Sequence, residues 1–242
     1  MDIKTFDRVE KKYFITSKQK RDILTILNHK MQKDEYFKSQ VFNLYFDTDN
    51  FDLITKSIEN PDFKEKLRAR SYGGYDKVFL EIKTKLKQSG CRVGYKRRFL
   101  ITHQDYKEFA TGKKTAAELA SRSLETKSDL QIAREVDYIV NYFNLKPQIL
   151  VYYARESYIG ENNLRITFDE DLSYRDKDLT FVRKAHDKKY FKDEKNIIME
   201  IKAHGVLPLW LAQLLSKEKV YPTHFSKIAG VYKLIRKEKQ NV

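Results

Sequence analysis

The sequence predicts an α+β protein built on an antiparallel β-barrel or tunnel of about eight strands, with a helical insertion and capping helices. About eight segments alternate like strands, and most are joined by short turns. A two-residue charge spacing recurs on these segments, as in Arg68-x-Arg70 and Glu81-x-Lys83. Because residues i and i+2 of a strand share a face, each pair projects both charges to one side.

The first hundred residues supply five of the predicted strands. Ser17 is a suitable N-cap for a helix that follows the first strand and runs to about Asn28. Gly73-Gly74 separates two later strands and is a hairpin signal. The predicted strands are 6–15, 41–46, 64–72, 77–86 and 93–101, and a short helix is expected over 51–58.

The period changes to that of a helix between about residues 103 and 144, where Tyr106, Phe109, Val136 and Ile139 lie at helical spacing. We expect a helical insertion in a single domain that spans residues 1–242. Strands are predicted again at 148–159, 164–174 and 196–203, with a short one at 179–182 and helices over about 208–218 and 226–237.

The composition indicates an anionic partner. The chain has 48 Lys and Arg against 34 Asp and Glu, a net charge of +14. One cysteine, Cys91, excludes an intramolecular disulfide and a cysteine-based zinc site. Because the N-terminus lacks a signal-peptide core and no stretch reaches membrane-span length, we expect a cytoplasmic protein that could reach the inner face of a membrane through a partner.

Basic residues of matching parity on separate strands are the main candidates for binding an anion. Arginine offers a planar fork of donors to phosphate oxygens, and lysine offers a point charge. Around one lumen these residues would repel one another until a polyanion bound; the alternative is a solvated outer face. The candidates are Arg68, Arg70, Lys83, Lys96, Arg98, Arg155 and Arg165.

Four carboxylates share the same spacing and could bind a hard cation or pair with the arginines. Glu200 is the first choice as a metal ligand because its neighbours Ile198, Met199 and Ile201 indicate a buried strand. Glu10, Glu81 and Asp169 fit a metal site and an ion pair equally well.

The last predicted helix begins at Ser226-Lys227, and its N-terminus could bind a terminal phosphate. An ordinary serine N-cap fits the same spacing.

The ordered set of these motifs resembles the VTC domain, the polyphosphate polymerase domain of the vacuolar transporter chaperone complex. The resemblance covers about residues 6–236. It is carried by Glu10-Lys11-Lys12-Tyr13, Leu44-Tyr45-Phe46-Asp47-Thr48, Lys66-Leu67-Arg68-Ala69-Arg70-Ser71-Tyr72, Glu81-Ile82-Lys83, Lys96-Arg97-Arg98-Phe99, Tyr153-Ala154-Arg155-Glu156-Ser157-Tyr158, Leu164-Arg165-Ile166-Thr167-Phe168-Asp169, Met199-Glu200-Ile201-Lys202 and Phe225-Ser226-Lys227.

The resemblance implies a triphosphate tunnel metalloenzyme that transfers the γ-phosphoryl group of ATP to inorganic polyphosphate, with Mn²⁺ or Mg²⁺ required. It implies that Glu200 holds the metal and that Tyr153 lines the nucleotide side. It also implies phosphate binding by Lys12, Arg68, Arg70, Lys83, Lys96, Arg155, Arg165, Ser226 and Lys227. Among these, we expect a catalytic role for Arg68, Arg70, Lys83, Arg155 and Arg165. We expect Arg98 and Lys202 to bind substrate as well.

The sequence departs from the wider superfamily at its first strand. The superfamily often begins Glu-x-Glu-x-Lys, whereas this chain has Arg8-x-Glu10-x-Lys12 and therefore lacks one acid. This resembles the VTC branch more than the triphosphatases. The chain is also too short to include the inositol-phosphate-sensing SPX domain of the eukaryotic relatives. A separate membrane subunit is a further expected partner.

We therefore expect a metal-dependent polyphosphate polymerase. A hydrolase of triphosphate or nucleoside triphosphates would use the same groups, and a non-catalytic polyanion-binding module would bind without turnover. We do not expect nucleic acid as a partner, because the charges alternate within strands and do not cluster on one helix face.

Overall fold

Ten strands and seven α-helices make up the described part of the computed structural model, which covers residues 8–59, 61–73, 76–88, 91–122, 127–191 and 196–240. The strands are β1 (Arg8–Ile15), β2 (Gln32–Asp47), β3 (Phe63–Tyr72), β4 (Val78–Gln88), β5 (Cys91–Ile101), β6 (Lys146–Ile159), β7 (Arg165–Arg175), β8 (Lys188–Lys189), β9 (Ile197–His204) and β10 (Pro222–Thr223). The helices are α1 (Ser17–Lys30), α2 (Asp52–Ile58), α3 (His103–Ala110), α4 (Ala116–Arg122), α5 (Lys127–Phe143), α6 (Leu209–Lys217) and α7 (Lys227–Gln240).

The chain divides into two compact units. Unit 1 comprises residues 1–40, 153–173 and 189–225, and unit 2 comprises residues 41–152, 174–188 and 226–242. Strands β2, β6 and β7 each contribute residues to both units. The expectation of a single domain over residues 1–242 stays a prediction.

Unit 1 is an antiparallel sheet with helices on one face. Strand β1 pairs with β10 and β9, and β9 pairs with β7. Alternate residues such as Tyr13, Ile166 and Met199 are buried and belong to one apolar core, to which α1 adds Leu27 and α6 adds Leu211. Because side chains alternate along a strand, the residues between them project to the other, polar face.

Unit 2 follows the same plan with a larger core. Strands β2, β3, β4 and β5 pair in that order and are antiparallel. Leu67, Leu80 and Phe99 lie on the core face of three adjacent strands. Residues of α3, α4 and α5 complete this core, so the helices between residues 103 and 144 cover one face of the sheet.

The α+β fold with a large antiparallel sheet, a helical insertion and additional helices is confirmed. Strands β10 and β5 are the edge strands of their units, and no described strand pairs with their outer edges. Hydrogen bonding among the described strands therefore does not close the sheet into a barrel.

Several element boundaries differ from the sequence-based expectations. The N-cap of α1 is Thr16, not Ser17, because its side chain accepts a hydrogen bond from the Gln19 N–H and Gln19 bonds back to the Thr16 N–H. Strand β2 begins nine residues before the predicted residue 41, and the predicted strand at 179–182 is wrong because that segment is irregular. The predicted hairpin glycine Gly74 lies outside the described residues.

No helix in the described ranges is long and apolar enough to span a membrane.

Candidate functional site

The polar face of unit 2 collects the basic residues of three adjacent strands. The register places Arg68 of β3 opposite Glu81 of β4, and Glu81 opposite Arg98 of β5. Two residues along, it aligns Lys66, Lys83 and Lys96 in a second row. Directly opposed residues in an antiparallel sheet point to the same face, so the recurring charge spacing brings these side chains together.

Glu81 is the centre of this group, which we call the Glu81 cluster: Arg68, Arg70, Glu81, Lys96 and Arg98. The Glu81 side chain is 1% exposed. Its Oε2 lies 2.7 Å from Arg68 Nε, 2.6 Å from Arg68 Nη2 and 3.9 Å from Arg70 Nε. Its Oε1 lies 2.8 Å from Lys96 Nζ and 3.9 Å from Arg98 Nη1. The geometry favours an ion-pair role for Glu81, one of the two predicted alternatives.

One carboxylate cannot neutralise four cations, so the Glu81 cluster carries a formal charge of 4 − 1 = +3. Burial raises the pKa of Glu81, but Arg68, Arg70 and Lys96 outweigh it and lower that pKa to about 2. Burial lowers the pKa of Lys96 to about 8; Glu81 opposes this shift, while Arg70 and Arg68 add to it. The cluster is therefore short of negative charge, which a bound anion would supply.

Two residues of β2 that the sequence reasoning did not single out position the arginines. Asn43 Oδ1 accepts a hydrogen bond from Arg70 Nε at 2.9 Å, and the Tyr45 hydroxyl lies 3.4 Å from Arg68 Nη1. Asn43 is 1% exposed, so its bond to Arg70 is protected from water. Asn43 and Tyr45 are two positions apart on the predicted strand 41–46, so the two-residue spacing already used for the charged residues could have identified them.

The polar face of unit 1 has its own rows of charged side chains. The register places Lys12 of β1 opposite Glu200 of β9, and Glu200 opposite Thr167 of β7. The neighbouring row is Glu10, Lys202 and Arg165. These rows align most of the unit 1 candidates.

Arg155 is held by Asp169. Arg155 Nε donates to Asp169 Oδ1 at 2.6 Å, and Arg155 Nη2 donates to Oδ2 at 2.8 Å. The Tyr153 hydroxyl is 3.5 Å from the same Nη2, and the guanidinium carbon lies 5.2 Å from the centroid of the Tyr153 ring. The nearby carboxylate of Asp169, against the effect of burial, raises the pKa of Arg155 well above its ordinary value. The bidentate pair favours the ion-pair interpretation of Asp169.

The two remaining candidate acids of unit 1, Glu200 and Glu10, are paired with lysines two residues away on their own strands. Glu200 Oε1 lies 2.7 Å from Lys202 Nζ, and the Glu200 side chain is 9% exposed. Glu10 Oε1 lies 3.6 Å from Lys12 Nζ and is much more exposed. Lys12 Nζ also donates to the Phe225 carbonyl at 3.1 Å, which ties β1 to the segment before α7.

Arg165 is positioned by a residue in the unpredicted half of β2. Arg165 Nη2 lies 2.6 Å from Asp34 Oδ2, and Arg165 Nε donates to Ser157 Oγ at 3.1 Å. The Ser157 hydroxyl in turn donates to Asp34 at 3.1 Å. Sequence reasoning missed Asp34 because it did not assign residues 32–40 to a strand.

Ser226 occupies the N-terminal end of α7. Its carbonyl accepts the Gly230 N–H at 2.9 Å, and Lys227 is the first helical residue. The helix therefore begins at Lys227, directly after Ser226, which agrees with the prediction of a serine cap at residue 226.

No group of three or more His, Cys, Asp or Glu within the described segments could hold a metal ion alone. Mg²⁺ and similar ions are often bound by one or two carboxylates together with substrate phosphates. Among the predicted ligands, Glu200 fits this pattern best, because Glu81 and Asp169 are held by arginines and Glu10 is exposed. A metal ion at Glu200 would compete with the Lys202 ammonium group for the Glu200 carboxylate.

Comparisons with known proteins identify the family. The VTC domain family matches residues 7–235. The chain is 28% identical over 145 residues to vacuolar transporter chaperone complex subunit 4 of Schizosaccharomyces pombe. That similarity covers 55% of this chain and 20% of the relative, so the chain corresponds to a small part of the longer protein.

Solved structures show the same fold at low sequence identity. A Hippeastrum protein described as revealing a dominant triphosphatase activity superposes with a TM-score of 0.55 at 17% identity, covering 92% of this chain and 93% of that one. A Pyrococcus horikoshii protein gives a TM-score of 0.50 at 15% identity, covering 93% and 98%.

Proposed function

Because this chain belongs to the VTC domain family, we propose that it is a metal-dependent polyphosphate polymerase that transfers the γ-phosphoryl group of ATP to a polyphosphate chain. The observation that carries the proposal is the Glu81 cluster, in which four cations surround one buried carboxylate on a polar sheet face. An uncompensated positive cluster of this kind suits a ligand with several closely spaced negative charges.

The residues of the Glu81 cluster would divide into positioning and binding roles. Glu81, Asn43 and Tyr45 hold Arg68 and Arg70 in fixed rotamers, so little side-chain entropy is lost when phosphate binds. Lys96 and Arg98 are 40% and 46% exposed and are the members most accessible to a ligand.

Arg155 has the properties of a group that stabilises charge during transfer. Its bonds to Asp169 use Nε and Nη2, so the Nη1 donors are directed elsewhere. A fixed guanidinium that is always protonated can bind the transferring phosphoryl group without reorganisation. We assign it that role together with Arg165, while Lys12 and Lys202 would bind the neighbouring phosphates and Tyr153 would contact the nucleotide.

The proposed reaction is an in-line displacement at the γ-phosphorus of ATP. A terminal oxygen of the polyphosphate chain forms the new P–O bond, the bond from the γ-phosphorus to the β–γ bridging oxygen breaks, and ADP leaves with that electron pair. The attacking oxygen is already ionised, so the chain needs no strong general base. Mn²⁺ or Mg²⁺ held by Glu200 would neutralise charge on the bridging oxygens.

Incubation of the purified chain with ATP and Mn²⁺ tests the proposal, with polyphosphate resolved on a gel and ADP measured in parallel. We expect polymer that disappears on chelation and in Glu200→Gln, but not in Glu35→Gln, which removes an exposed acid of the same unit. A folded chain that binds tripolyphosphate but produces neither polymer nor free phosphate would instead be a polyanion-binding module.

Hydrolysis of triphosphate is the second candidate. It is favoured by the structural similarity to the Hippeastrum protein with a described triphosphatase activity. Water would replace the terminal phosphate oxygen as the attacking group, while the same side chains would bind the substrate. Release of free phosphate without polymer would support this function and contradict the polymerase.

A separate membrane subunit is part of the proposal. The relative in Schizosaccharomyces pombe is named as a subunit of a complex, and this chain covers only a fifth of it. We propose a cytoplasmic catalytic part that works with a membrane partner. Co-purification of a tagged chain from membranes and from the soluble fraction of its source cells would test this.

A further inference from the structure

The Thr167 hydroxyl is a buried polar group with no hydrogen-bond partner in the part of the chain that the structure describes. Thr167 is 4% exposed, so bulk water solvates little of its side chain. A buried hydroxyl without a partner destabilises the folded state, and such groups are rare in well-packed proteins.

The position of Thr167 relates this hydroxyl to the proposed phosphate site. In β7 it lies between Arg165 and Asp169 on the polar face, and its register partner across β9 is Glu200. Glu200 in turn faces Lys12 of β1. Residues in register in an antiparallel pair have Cα atoms about 4.5–5.5 Å apart, so Thr167 is directly beside the carboxylate assigned to the metal.

The neighbouring polar groups already have partners inside the protein. Arg165 contacts Asp34 and Ser157, Asp169 is bound by Arg155, and Glu200 pairs with Lys202. Among the described residues the Thr167 hydroxyl is the exception, and a bound ligand with an acceptor oxygen would satisfy it.

We propose that the Thr167 hydroxyl donates a hydrogen bond to a phosphate oxygen of the bound substrate, beside Glu200. This inference rests on the proposed function and adds to it a neutral binding residue. An anionic oxygen is the expected acceptor because Lys12 in the same row, and Arg165 and Lys202 in the neighbouring row, attract negative charge. A hydroxyl also adds no further positive charge to a basic face.

Thr167→Val tests the proposal, because it replaces the hydroxyl by a methyl group of similar size and keeps the β-branched shape. Affinity for tripolyphosphate is measured by calorimetry, in EDTA and again with Mn²⁺, beside unfolding by urea without ligand. We expect Thr167→Val to bind tripolyphosphate at least about tenfold more weakly than the unchanged chain in both conditions, since one hydrogen bond to a charged group is lost. Stability without ligand should stay unchanged or rise, because an unpartnered buried hydroxyl has been removed.

Two control variants separate this role from a structural one. Thr167→Ser keeps the hydroxyl and should bind nearly as tightly as the unchanged chain. Thr84 is also a buried strand threonine, 8% exposed, but its hydroxyl donates to Glu65 at 3.1 Å. Thr84→Val should therefore lose stability and keep its tripolyphosphate affinity.

Wild-type affinity in Thr167→Val, or a loss confined to Mn²⁺-containing buffer, would overturn the proposal while leaving the proposed function intact. Failure of the unchanged, folded chain to bind tripolyphosphate would overturn both. If Thr167→Val does not fold, Thr167→Ala is compared with Thr167→Ser by the same measurements, and equal affinities would overturn the inference.

Discussion

At the scale of single residues, the Glu81 cluster shows how one carboxylate can organise a binding surface without neutralising it. Glu81 contacts Arg68 and Lys96 through different oxygens, at 2.7 Å and 2.8 Å from Arg68 Nε and Lys96 Nζ. The same carboxylate is within 4.0 Å of two further arginines. It fixes the geometry of the cations, and the excess positive charge stays available to a ligand.

Removing the negative charge of Glu81 should weaken the folded state and make it depend on an anion. We expect Glu81→Gln to unfold in urea with a free energy about 3 kcal/mol lower at neutral pH, because buried cations lose their counterion. Tripolyphosphate should restore more stability to this variant than to the wild type. Equal stability of the two proteins without ligand would contradict the ion-pair role.

The pH dependence of this effect follows from the pKa of Glu81, which is lowered to about 2 from 4.5. A carboxyl group whose pKa is lower in the folded state stabilises that state at pH values above its unfolded-state pKa. This contribution to stability is lost as the pH falls through the folded-state pKa. The stability difference between wild type and Glu81→Gln should therefore be full above about pH 4.5 and shrink toward pH 2. Urea unfolding at a series of pH values measures it.

Lys96 should take up a proton when a phosphate ligand binds. Its pKa is lowered to about 8, so the free protein holds much of it neutral at about pH 9, and a bound anion would raise the pKa again. Calorimetry of tripolyphosphate binding in buffers of different ionisation enthalpy counts the protons. Lys96→Arg stays protonated and is the control that subtracts the ligand's own ionisation. Identical proton uptake by both proteins would rule out Lys96 as the titrating group.

At the scale of elements, strand parity was the most reliable signal in the sequence. It placed Arg68, Arg70, Glu81 and Lys96 on one face because side chains alternate along any strand. Asp34 and its contact with Arg165 could not be found in this way, because the charged segment 32–40 lacks the apolar alternation of a half-buried strand. Its backbone pairing comes from other strands of the same sheet, which local sequence does not reveal.

The N-terminus of α1 offers a test of an element outside the proposed site. Thr16 and Gln19 form a capping box on this helix, whose residues Ile23 and Leu27 belong to the unit 1 core. Thr16→Ala should lower the free energy of unfolding by about 1 kcal/mol, since the Gln19 N–H loses the side-chain oxygen that accepts its hydrogen bond. Thr16→Ser should retain most of it, and neither change should alter tripolyphosphate affinity. A binding defect in Thr16→Ala at unchanged stability would contradict this separation.

At the scale of the whole molecule, the sequence predicted the fold class and the charge but not the division into two compact units. Each unit has its own core, one including Tyr13 and Phe168 and the other Leu67 and Leu80. Three of the boundaries between the units fall inside strands β2, β6 and β7. The sequence at these positions is therefore that of a strand and not of a linker. Contacts distant in sequence define such units, and periodicity reports only local structure.

The net charge of +14 raises the question whether polyphosphate is bound by overall charge or by the Glu81 cluster. Two double variants with the same loss of two positive charges distinguish these cases. Lys96→Gln with Arg98→Gln changes the cluster, while Lys113→Gln with Lys217→Gln changes exposed residues elsewhere. Salt weakens distant attraction more than close pairs, because the Debye length is about 10 Å at 0.1 M.

We therefore expect the cluster variant to bind long polyphosphate at least about tenfold more weakly, with a shallower dependence of affinity on salt, since fewer counterions are released from the polyanion. The variant with changes elsewhere should keep both the affinity and the salt dependence within about twofold, because its lost charges are solvated and screened. Titrations between about 50 and 200 mM NaCl measure both quantities. Equal losses in the two variants would show that the whole charge of the molecule, and not the arrangement around Glu81, attracts the polyanion.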